Sequence, residues 1–459
     1  MLPTIRQLAI INSALKIFYR ILIYYTIHML AKKKNNKSVC VIGLGYVGLP
    51  LAAQCALKGY KVYGLDYDEK KIKKISSGKS PIKEKFLDEN LSRVNLKAST
   101  DSKIIRKADI ILICVPTPVD KNFYPDLEPI KSAAEAAAKN LKTERRPLII
   151  IESTINPGVC EEVIEPIFKK AGYKIGKNYY LAHCPERINP GDPKWNITNI
   201  PRVVGSFNKK GLELALKFYR DIIDAEIYPM KSIREAEAVK IVENSFRDIN
   251  IAFVNELAKS FDRMEIDAVD VIKGASTKPF AFMPHWPSCG VGGHCIPVDP
   301  YYLIERAKLS GFDHEFLKIA RKVNNSMPAY TVELLQDALN EIKLPLNGTA
   351  VGVLGLSYKA NVDDLRETPA LKIIKELKNH KAKVFAFDPY FPQMSNVKNL
   401  NALLKKSDAV ILASDHNEFK EINPEIFKKQ KIKAIIDGKN CLNKKKIEKF
   451  GIMYKGIGR

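Results

Sequence analysis

One cysteine of this chain has a setting that suits a nucleophile. Cys295 lies in the segment GVGGHCIPVDP at 290–300, after three glycines and four residues before Asp299. Glycines at this density let the backbone approach a ligand closely, and they leave the thiol accessible, as nucleophilic catalysis requires. His294 is adjacent in sequence, so we expect its side chain to point elsewhere and do not assign it as the base.

A second group of residues is typical of a dinucleotide phosphate site. Gly43, Gly45 and Gly48 form the pattern G-x-G-x-x-G between an apolar strand at 39–42 and a helix at 49–58. Gly43 permits the tight turn, Gly45 lets backbone N–H groups approach a pyrophosphate, and Gly48 allows the helix to pack closely on the strand. The N-terminus of the helix adds the positive end of its dipole.

The residue after the next strand indicates which dinucleotide binds. Gly59 ends the helix, a strand follows at 61–65, and Asp66 closes it, 23 residues after the first glycine. A carboxylate here accepts hydrogen bonds from both ribose hydroxyls and repels a 2′-phosphate. The sequence therefore predicts NAD rather than NADP.

Polar side chains follow two more predicted strands, at 109–115 and 148–152. Both runs are almost entirely apolar, which fits parallel strands buried on both faces. Thr117 and Ser153–Thr154 come just after them, where the ligand crevice of an open α/β sheet forms. We expect these hydroxyl groups to lie at that crevice.

The middle of the chain predicts a long helix at 232–265. Its apolar residues recur at helical spacing without a proline or glycine, and Ser232 with Glu235 forms a capping box. At 1.5 Å per residue the helix would be roughly 45–50 Å long. We expect it to bridge two domains and to form a dimer core.

A second α/β pattern begins at Thr349. It repeats the order strand, helix, strand and aspartate, ending at Asp388, and the run at 407–414 is similar to that at 108–115. This degenerate internal repeat lacks the full glycine pattern. We expect it to bind something other than the dinucleotide.

Composition limits the class of protein. The 459 residues suffice for about three domains, and 46% hydrophobic with 27% charged residues excludes a disordered or collagen-like chain. A net charge of +23 suggests nucleic acid, an anionic membrane or anionic small molecules as partners, but the scattered lysine patches are more typical of ordinary solvated surface. The eight cysteines show no zinc-site spacing. We therefore expect no metal and a reducing, cytoplasmic location.

The N-terminus leaves alternatives open. Residues 8–30 are apolar enough to suggest membrane association, but Lys16 and Arg20 interrupt the run and no signal-peptide cleavage site follows. An unstructured extension, or a true start at Met29, is favoured over a membrane anchor or an amphipathic surface helix. We expect the first packed strand to begin near Ser38.

Eight segments follow one another in a characteristic order along 38–459. They are GLGYVGLP at 43–50, VPTP at 115–118, EST at 152–154, PERINPGD at 185–192, EAVKIVENSFRDINIAFVNEL at 237–257, GVGGHCIPVDP at 290–300, GLSYKANVDDLRETPA at 355–370 and the closing YKGIGR. Together they resemble the nucleotide-sugar 6-dehydrogenase family, which includes UDP-glucose, UDP-N-acetylhexosamine and GDP-mannose enzymes. PERINPGD looks most like the branch for UDP-N-acetylglucosamine or UDP-N-acetylgalactosamine, which supplies the uronic acids of capsule and O-antigen.

The resemblance implies a four-electron oxidation with NAD as cofactor. The sugar C6 alcohol becomes a carboxylate in two hydride transfers to two NAD⁺, through an aldehyde, a cysteine thiohemiacetal and a thioester. Cys295 would be the nucleophile. Lys240 and Asn244 share one face of the long helix and would stabilise developing oxyanion charge.

The resemblance also implies residues that handle protons and bind ligands. Glu186 would be the general base for thioester hydrolysis, and Thr117 and Asp299 would position or activate water. The implied cofactor-binding residues are Gly43, Gly45, Tyr46, Val47, Gly48, Asp66, Pro116, Thr117, Glu152, Thr154 and Lys439. The implied substrate-binding residues are Glu186, Arg187, Lys240, Asn244, Arg247, Gly292, Lys359 and Arg366. Of these, Lys359 and Arg366 would bind the UDP phosphates or a neighbouring subunit.

The fold class that follows is α/β, with two Rossmann-like doubly wound domains joined by a long-helix central domain. The expected divisions are an extension at 1–37, an NAD-binding domain at 38–231, a central dimerisation domain at 232–340 that carries the cysteine loop, and a UDP-sugar-binding domain at 341–459. The expected partners are a UDP-sugar and a second copy of the chain, in a homodimer or higher oligomer, with no nucleic acid.

The chain departs from the family pattern at two places. Residues 287–290 read P-S-C-G where the family usually has P-G-P-G. Ser288 adopts positive φ less readily than glycine, and Cys289 adds a second thiol near the substrate loop. Near the C-terminus the family's D-x-R-N appears as D-G-K-N, and Lys439 keeps the charge but lacks the bidentate geometry of arginine.

Three alternative functions remain. A UDP-glucose 6-dehydrogenase would share the mechanism. A two-electron hydroxyacid dehydrogenase of the 6-phosphogluconate type would share the domain order but leave Cys295 unexplained. A basic nucleic-acid-binding protein would require clustered cations with aromatic platforms, and no such module is found in the sequence. The NADH yield per substrate separates these classes. A nucleotide-sugar 6-dehydrogenase gives about two, a hydroxyacid dehydrogenase gives one, and a nucleic-acid-binding protein gives none.

Overall fold

The computed structural model describes residues 36–82, 84–120, 124–188 and 194–459. The segment 8–30 and its possible membrane role lie outside these ranges. Within them, no helix combines the length and the apolar character that a membrane crossing requires.

The chain divides into two compact units. The N-terminal unit runs to Thr117 and then includes Leu127–Thr154 and Gly158–Glu237, and the C-terminal unit is formed by Pro118–Asp126, Ile155–Pro157 and Ala238–Arg459. Each unit has its own sheet.

The N-terminal unit is built on a sheet of order β3-β2-β1-β4-β5-β6-β7-β8. Among its described strands, β6 and β7 pair antiparallel and all other neighbours pair parallel. The strands are β1 Ser38–Ile42, β2 Lys61–Leu65, β3 Leu96–Ser99, β4 Ile110–Ile113, β5 Leu148–Ile151, β6 Tyr180–His183, β7 Arg202–Ser206 and β8 Ile227–Pro229. The helices are α1 Gly48–Leu57, α2 Glu69–Ser76, α3 Lys85–Asn90, α4 Glu128–Lys139, α5 Glu165–Lys170 and α6 Lys209–Ile222. Strands β1, β4 and β5 are buried at every position, as their apolar runs predict.

The predicted long helix is α7, Ile233–Arg263. Its capping box is formed, because the Ser232 hydroxyl accepts from the Glu235 N–H and the Glu235 carboxylate accepts from the Ser232 N–H, both at 3.1 Å. The helix ends two residues before the predicted end, where Glu265 has φ of 58° and stops the helical backbone.

The C-terminal unit contains the second predicted α/β pattern. Its sheet has the order β10-β9-β11-β12-β13 and all of its pairs are parallel. The strands are β9 Ala350–Leu354, β10 Lys383–Phe387, β11 Ala409–Leu412, β12 Ala434–Asp437 and β13 Met453–Gly456. The helices are α8 Ala268–Ala275, α9 Asp299–Leu309, α10 Glu315–Glu341, α11 Pro369–Asn379, α12 Leu400–Lys406, α13 Asn417–Lys420, α14 Glu425–Lys429 and α15 Lys444–Glu448. The α/β class with two Rossmann-like sheets and a long helix is confirmed.

Candidate active site

The glycine turn of the N-terminal unit connects β1 to α1. Gly43 has φ of 90° and donates its N–H to the Leu65 carbonyl at 2.8 Å. If Gly43 carried a Cβ, that atom would lie 2.8 Å from the backbone oxygen of Cys114. A Cβ on Gly48 would lie 1.9 Å from the backbone oxygen of Gly43. At Gly45, apart from its chain neighbours, no atom of the described residues lies within 4 Å of such a Cβ. The turn therefore excludes side chains where it packs and is open where a pyrophosphate would approach. Tyr46 and Val47 complete it.

Asp66 lies directly after β2, beside this turn. Its carboxylate accepts from the Leu44 N–H at 2.9 Å, from the Asp68 N–H at 3.1 Å and from Lys71 Nζ at 2.7 Å. Partial burial acts to raise the pKa of Asp66, but the hydrogen bonds from Lys71, Asp68 and Leu44 outweigh it and hold the pKa below its ordinary value. Sequence reasoning missed Lys71, whose only signal is a cation in the first turns of α2.

The ends of β4 and β5 bring two of the predicted hydroxyl residues together. Thr117 donates its hydroxyl to the Thr154 carbonyl at 2.6 Å. Pro116 is exposed beside Thr117. This edge of the sheet, at the carboxyl ends of neighbouring parallel strands, is where the crevice was predicted.

Glu152 follows β5 but faces into the protein. Its carboxylate and the Arg202 guanidinium are both fully buried, with Arg202 Nη1 at 3.2 Å from Glu152 Oε2. The Tyr219 hydroxyl donates to the other oxygen of Glu152. Burial raises the pKa of Glu152, and Arg202 acts in the opposite direction. Glu152 therefore makes its side-chain contacts within the core.

Glu186 lies at the edge of the same charged cluster. One of its carboxylate oxygens is 4.0 Å from Arg202 Nη2, and the carboxylate accepts from the Ile188 N–H. Arg187 donates to the Pro201 carbonyl at 2.9 Å. Arg202 was not identified from the sequence, where it is a single cation at the start of an apolar strand.

In the C-terminal unit, Cys295 lies between a glycine turn and α9. Gly293 has φ of 93°, and the Cys295 carbonyl accepts from the N–H groups of Val298 and Asp299 at 3.0 and 2.8 Å. The side chain is partly exposed and is not in a disulfide. The thiol therefore lies one turn before the N-terminus of a helix, in a segment whose backbone is fixed.

Asp299, Asn244 and Lys240 form a polar group beside this segment. Asn244 Nδ2 donates to Asp299 Oδ2 at 2.5 Å, and both residues are buried. Burial raises the pKa of Asp299 to about 6, although the hydrogen bond from Asn244 and the charge of Lys240 act to lower it. A carboxylate with this pKa can exchange a proton near neutral pH.

The loop between β9 and α11, residues 355–368, lies against residues 290–300, which we call the cysteine segment. Gly293 donates its N–H to the Arg366 carbonyl at 2.9 Å. A Cβ at Gly292 would lie 2.6 Å from Tyr358 Cβ, so the glycines let Tyr358 pack on the backbone. The Arg366 guanidinium pairs with Asp364 at 2.6 Å. The structure thus brings Arg366 to the cysteine segment, and Lys359 follows Tyr358 in the same loop.

The P-S-C-G departure has a simple structural outcome. Positive φ in this segment belongs to Gly290 and Gly293 rather than to Ser288, whose N–H is held by Asn255 Oδ1 at 2.9 Å. Cys289 is fully buried, and its thiol lies 3.5 Å from the Ala413 carbonyl. Burial raises the pKa of Cys289, which disfavours the reactive thiolate.

Two further predicted binding residues lie after β12 and on α7, and Lys439 directly follows Gly438, whose carbonyl accepts from the Cys289 N–H at 2.9 Å. Lys439 follows β12 and donates its backbone N–H to Asp437 at 3.1 Å. Arg247 is exposed on α7, one turn after Asn244. Lys439 belongs to a different unit from the glycine turn at 43–48.

Comparison with known families covers most of the chain. Residues 37–223 match the NAD binding domain of the UDP-glucose/GDP-mannose dehydrogenase family, residues 234–326 match its central domain, and residues 352–444 match its UDP binding domain.

Individual relatives agree with this match. The UDP-N-acetyl-D-mannosamine dehydrogenase of Pyrococcus horikoshii is 37% identical over 92% of this chain and 99% of its own. The solved structure of a UDP-N-acetylmannosamine dehydrogenase from that organism has a TM-score of 0.85 with 36% identity, over 92% of this chain and 99% of its own. The UDP-N-acetyl-D-glucosamine 6-dehydrogenase of Pseudomonas aeruginosa is 36% identical over 86% of this chain and 94% of its own. A solved NDP-N-acetyl-D-galactosaminuronic acid dehydrogenase from Methanosarcina mazei has a TM-score of 0.81 with 30% identity, over 94% of this chain and 98% of its own. The chain therefore belongs to the UDP-glucose/GDP-mannose dehydrogenase family, as its sequence segments indicated, and uses NAD as cofactor.

Proposed function

We propose that this protein oxidises the C6 alcohol of a UDP-N-acetylhexosamine to the carboxylate, with two NAD⁺ per sugar. The observation that carries the proposal is the grouping of Cys295 with Asn244, Asp299 and the charge of Lys240 in one unit. Relatives named for N-acetylmannosamine, N-acetylglucosamine and N-acetylgalactosaminuronic acid support the acetamido sugar. A uronic acid precursor of a surface polysaccharide would be the product.

The N-terminal unit has the features that NAD requires. The open space at Gly45 would admit the pyrophosphate, and Asp66 would hold the adenosine ribose. Thr117 and Thr154 would line the crevice at the carboxyl ends of β4 and β5. When bound, NAD⁺ supplies the hydride acceptor for both oxidations.

The chain's own residues would perform the remaining chemistry. The Cys295 thiol would add to the aldehyde carbon to form a thiohemiacetal, with the thiol proton passing to a neighbouring base. Loss of the C6 hydride to the second NAD⁺ would turn this adduct into a thioester. Water would then hydrolyse the thioester to the carboxylate and return the thiol. Lys240 and Asn244 would stabilise negative charge on the C6 oxygen. Asp299 would accept a proton close to Cys295, and Glu186 would activate the hydrolytic water.

The raised pKa of Asp299 predicts a specific pH dependence. If ionised Asp299 is the proton acceptor, kcat will fall as the pH falls through about 6, because protonation removes the base. Asp299→Asn should lower kcat by roughly 10²–10⁴-fold and abolish that acid limb. Steady-state rates from pH 5 to 9 on both proteins test this. An acid limb that is unchanged in Asp299→Asn would assign it to another group.

Asp66 and Lys71 predict how coenzyme preference can be altered. Asp66→Ala should raise the KM for NAD⁺ by roughly 10-fold, since about 1.4 kcal/mol of ribose hydrogen bonding is lost. The same change leaves Lys71 without its carboxylate partner, 2.7 Å away at present, and free to attract a 2′-phosphate. We therefore expect improved kcat/KM with NADP⁺. The double variant Asp66→Ala/Lys71→Ala should lose that gain, and a gain retained in it would contradict the role of Lys71.

The exposed face of α7 supports a dimer. Val242, Phe246 and Phe253 share one face of the helix and are 55%, 47% and 53% exposed. Such a contiguous apolar stripe on a helix is typical of an interaction surface. We infer that a second copy covers it. The double variant Phe246→Asp/Phe253→Asp should then have half the mass of the wild-type dimer, as measured by light scattering.

The domain divisions at 38–231, 232–340 and 341–459 belong to the same proposal. So does a cytoplasmic location, which is supported by eight cysteines that form no disulfide.

A substrate panel with NADH detection tests the function directly. UDP-N-acetylmannosamine, UDP-N-acetylglucosamine, UDP-N-acetylgalactosamine, UDP-glucose and GDP-mannose are each supplied with excess NAD⁺. We expect two NADH per sugar and the highest kcat/KM with an acetamido sugar. Preference for UDP-glucose would favour the alternative enzyme of the same family, and one NADH per substrate would exclude the covalent four-electron mechanism.

A further inference from the structure

The two units share one detail at the end of their first strands. Gly43 after β1 and Gly355 after β9 have φ of 90° and 88°. Each glycine donates its N–H to the carbonyl of the last residue of the neighbouring strand. Gly43 donates to Leu65 at 2.8 Å, and Gly355 donates to Phe387 at 2.9 Å. The same turn therefore occurs in both repeats.

An aspartate occupies the equivalent place in each repeat. Asp66 follows β2 and accepts from the Leu44 N–H at 2.9 Å, and Asp388 follows β10 and accepts from the Leu356 N–H at 2.6 Å. Asp388 is thus the counterpart of the carboxylate that we assign to the ribose of NAD.

The surroundings of the two carboxylates differ. Asp388 is completely buried and also accepts from the N–H and hydroxyl of Ser357, at 2.8 and 2.9 Å, and from the Tyr390 N–H at 2.7 Å. His416, which is 1% exposed, lies over it with Nε2 at 3.1 Å from the carboxylate. The Tyr390 ring stacks on His416 at 4.9 Å. A ribose diol has no access to this carboxylate.

His416 links Asp388 to the loop at 355–368. Its Nδ1 accepts from the Asn361 N–H at 2.8 Å. Because Nδ1 is the acceptor, the neutral ring carries its proton on Nε2 and donates it to Asp388. One imidazole therefore joins the end of β10 to the middle of the loop, while Asp388 itself holds the start of that loop through Leu356 and Ser357.

The loop at 355–368 carries two cations that the family resemblance assigns to the UDP phosphates or to a neighbouring subunit. Lys359 and Arg366 lie on it, and it packs on the cysteine segment through the bond from Gly293 to the Arg366 carbonyl and through Tyr358 on Gly292. A shift of the loop would move the cations and the backbone that leads to Cys295 together. Preorganising cations before an anionic ligand arrives lowers the entropic cost of binding it.

We propose that Asp388 and His416 are positioning residues. In the second repeat they close the crevice that the first repeat uses for ribose, and they thereby hold Lys359, Arg366 and the cysteine segment in place. The proposal rests on the proposed function for the identity of the substrate. Its geometry rests only on bonds within the C-terminal unit.

Variants of His416 test the proposal in the full-length protein. His416→Leu retains volume but neither hydrogen bond, and should weaken UDP binding by about 10-fold or more, measured by calorimetry with UDP alone, since two bonds are lost. His416→Asn can keep the acceptor for Asn361, and His416→Gln can keep the donor to Asp388. Both should bind UDP better than His416→Leu does. The KM for NAD⁺ should stay unchanged, because the glycine turn belongs to the other unit.

A second readout makes the test independent of the substrate. The rate at which iodoacetamide alkylates Cys295, followed by peptide mass spectrometry, should change in His416→Leu and recover in His416→Asn or His416→Gln. His380→Ala is the matched control, because His380 is 44% exposed in the same unit and should alter neither measurement. If His416→Leu folds with an unchanged melting temperature and matches wild type in both UDP affinity and alkylation, the proposal is wrong. The proposal is also wrong if His416→Leu binds UDP more tightly than His416→Asn and His416→Gln do.

If wild type binds UDP but fails the sugar panel, the proposed function is wrong while the role of His416 can still be measured from UDP affinity. If wild type does not bind UDP, alkylation alone decides, and its insensitivity to His416→Leu overturns the proposal.

Discussion

Cys295→Ser will stop the reaction after the first oxidation, with no more than one NADH per sugar instead of two. A serine hydroxyl has a far higher pKa than a thiol, so it attacks the aldehyde poorly and would form an ester rather than a reactive thioester. The loss in four-electron turnover should be about 10³-fold or more. Stopped-flow NADH absorbance with trapping of the aldehyde measures both stages.

The fold should survive this change. The cysteine segment is held by the N–H groups of Val298 and Asp299 on the Cys295 carbonyl and by the Gly293 bond to Arg366, none of which uses the thiol. NAD⁺ binding should also persist, because Gly43, Gly45 and Gly48 lie in the other unit.

Cys289 provides the matched control for Cys295→Ser. Its thiol is six residues away in sequence, but it is fully buried against Ala413, and burial raises its pKa. Cys289→Ser should be nearly silent, and the double variant should match Cys295→Ser. Two NADH per sugar from Cys295→Ser, or inactivity of Cys289→Ser, would refute the nucleophile assignment.

Arg202→Met is expected to destabilise the N-terminal unit by about 3–5 kcal/mol, because it leaves the Glu152 carboxylate buried without its cation. Both side chains are fully buried and lie 3.2 Å apart, so water cannot compensate for the lost partner. Urea unfolding, followed by the loss of NAD⁺ binding and by circular dichroism, measures the change.

Two controls separate charge from packing in this variant. The pair Arg145–Asp109 is partly exposed to solvent, with 45% and 26% of the two side chains accessible, so Arg145→Met should cost no more than about 1 kcal/mol. Arg202→Met/Glu152→Gln removes both charges and should recover part of the lost stability. Equal costs for Arg202→Met and Arg145→Met would contradict the buried-pair account.

The amino-acid sequence by itself determined the local features of this protein. Strand β2 was predicted with its observed ends, the capping box of Ser232 and Glu235 was predicted and is formed, and the glycine turn with Asp66 identified the NAD-binding unit. Each depends on residues close together in the chain, whose spacing directly reflects helix pitch, strand alternation or turn geometry. The cysteine segment could be singled out for the same reason.

Only the tertiary structure decided which distant residues meet. Arg202 and Glu152 are 50 positions apart, and His416 and Asp388 are 28 apart, so no periodicity links either pair. The raised pKa values of Asp299 and Cys289 likewise depend on burial, which is produced by packing of segments far apart in sequence. A single arginine in an apolar stretch, or a single histidine in a polar one, carries no sign of its partner, because the free energy that selects the pairing arises only when water is excluded from both groups.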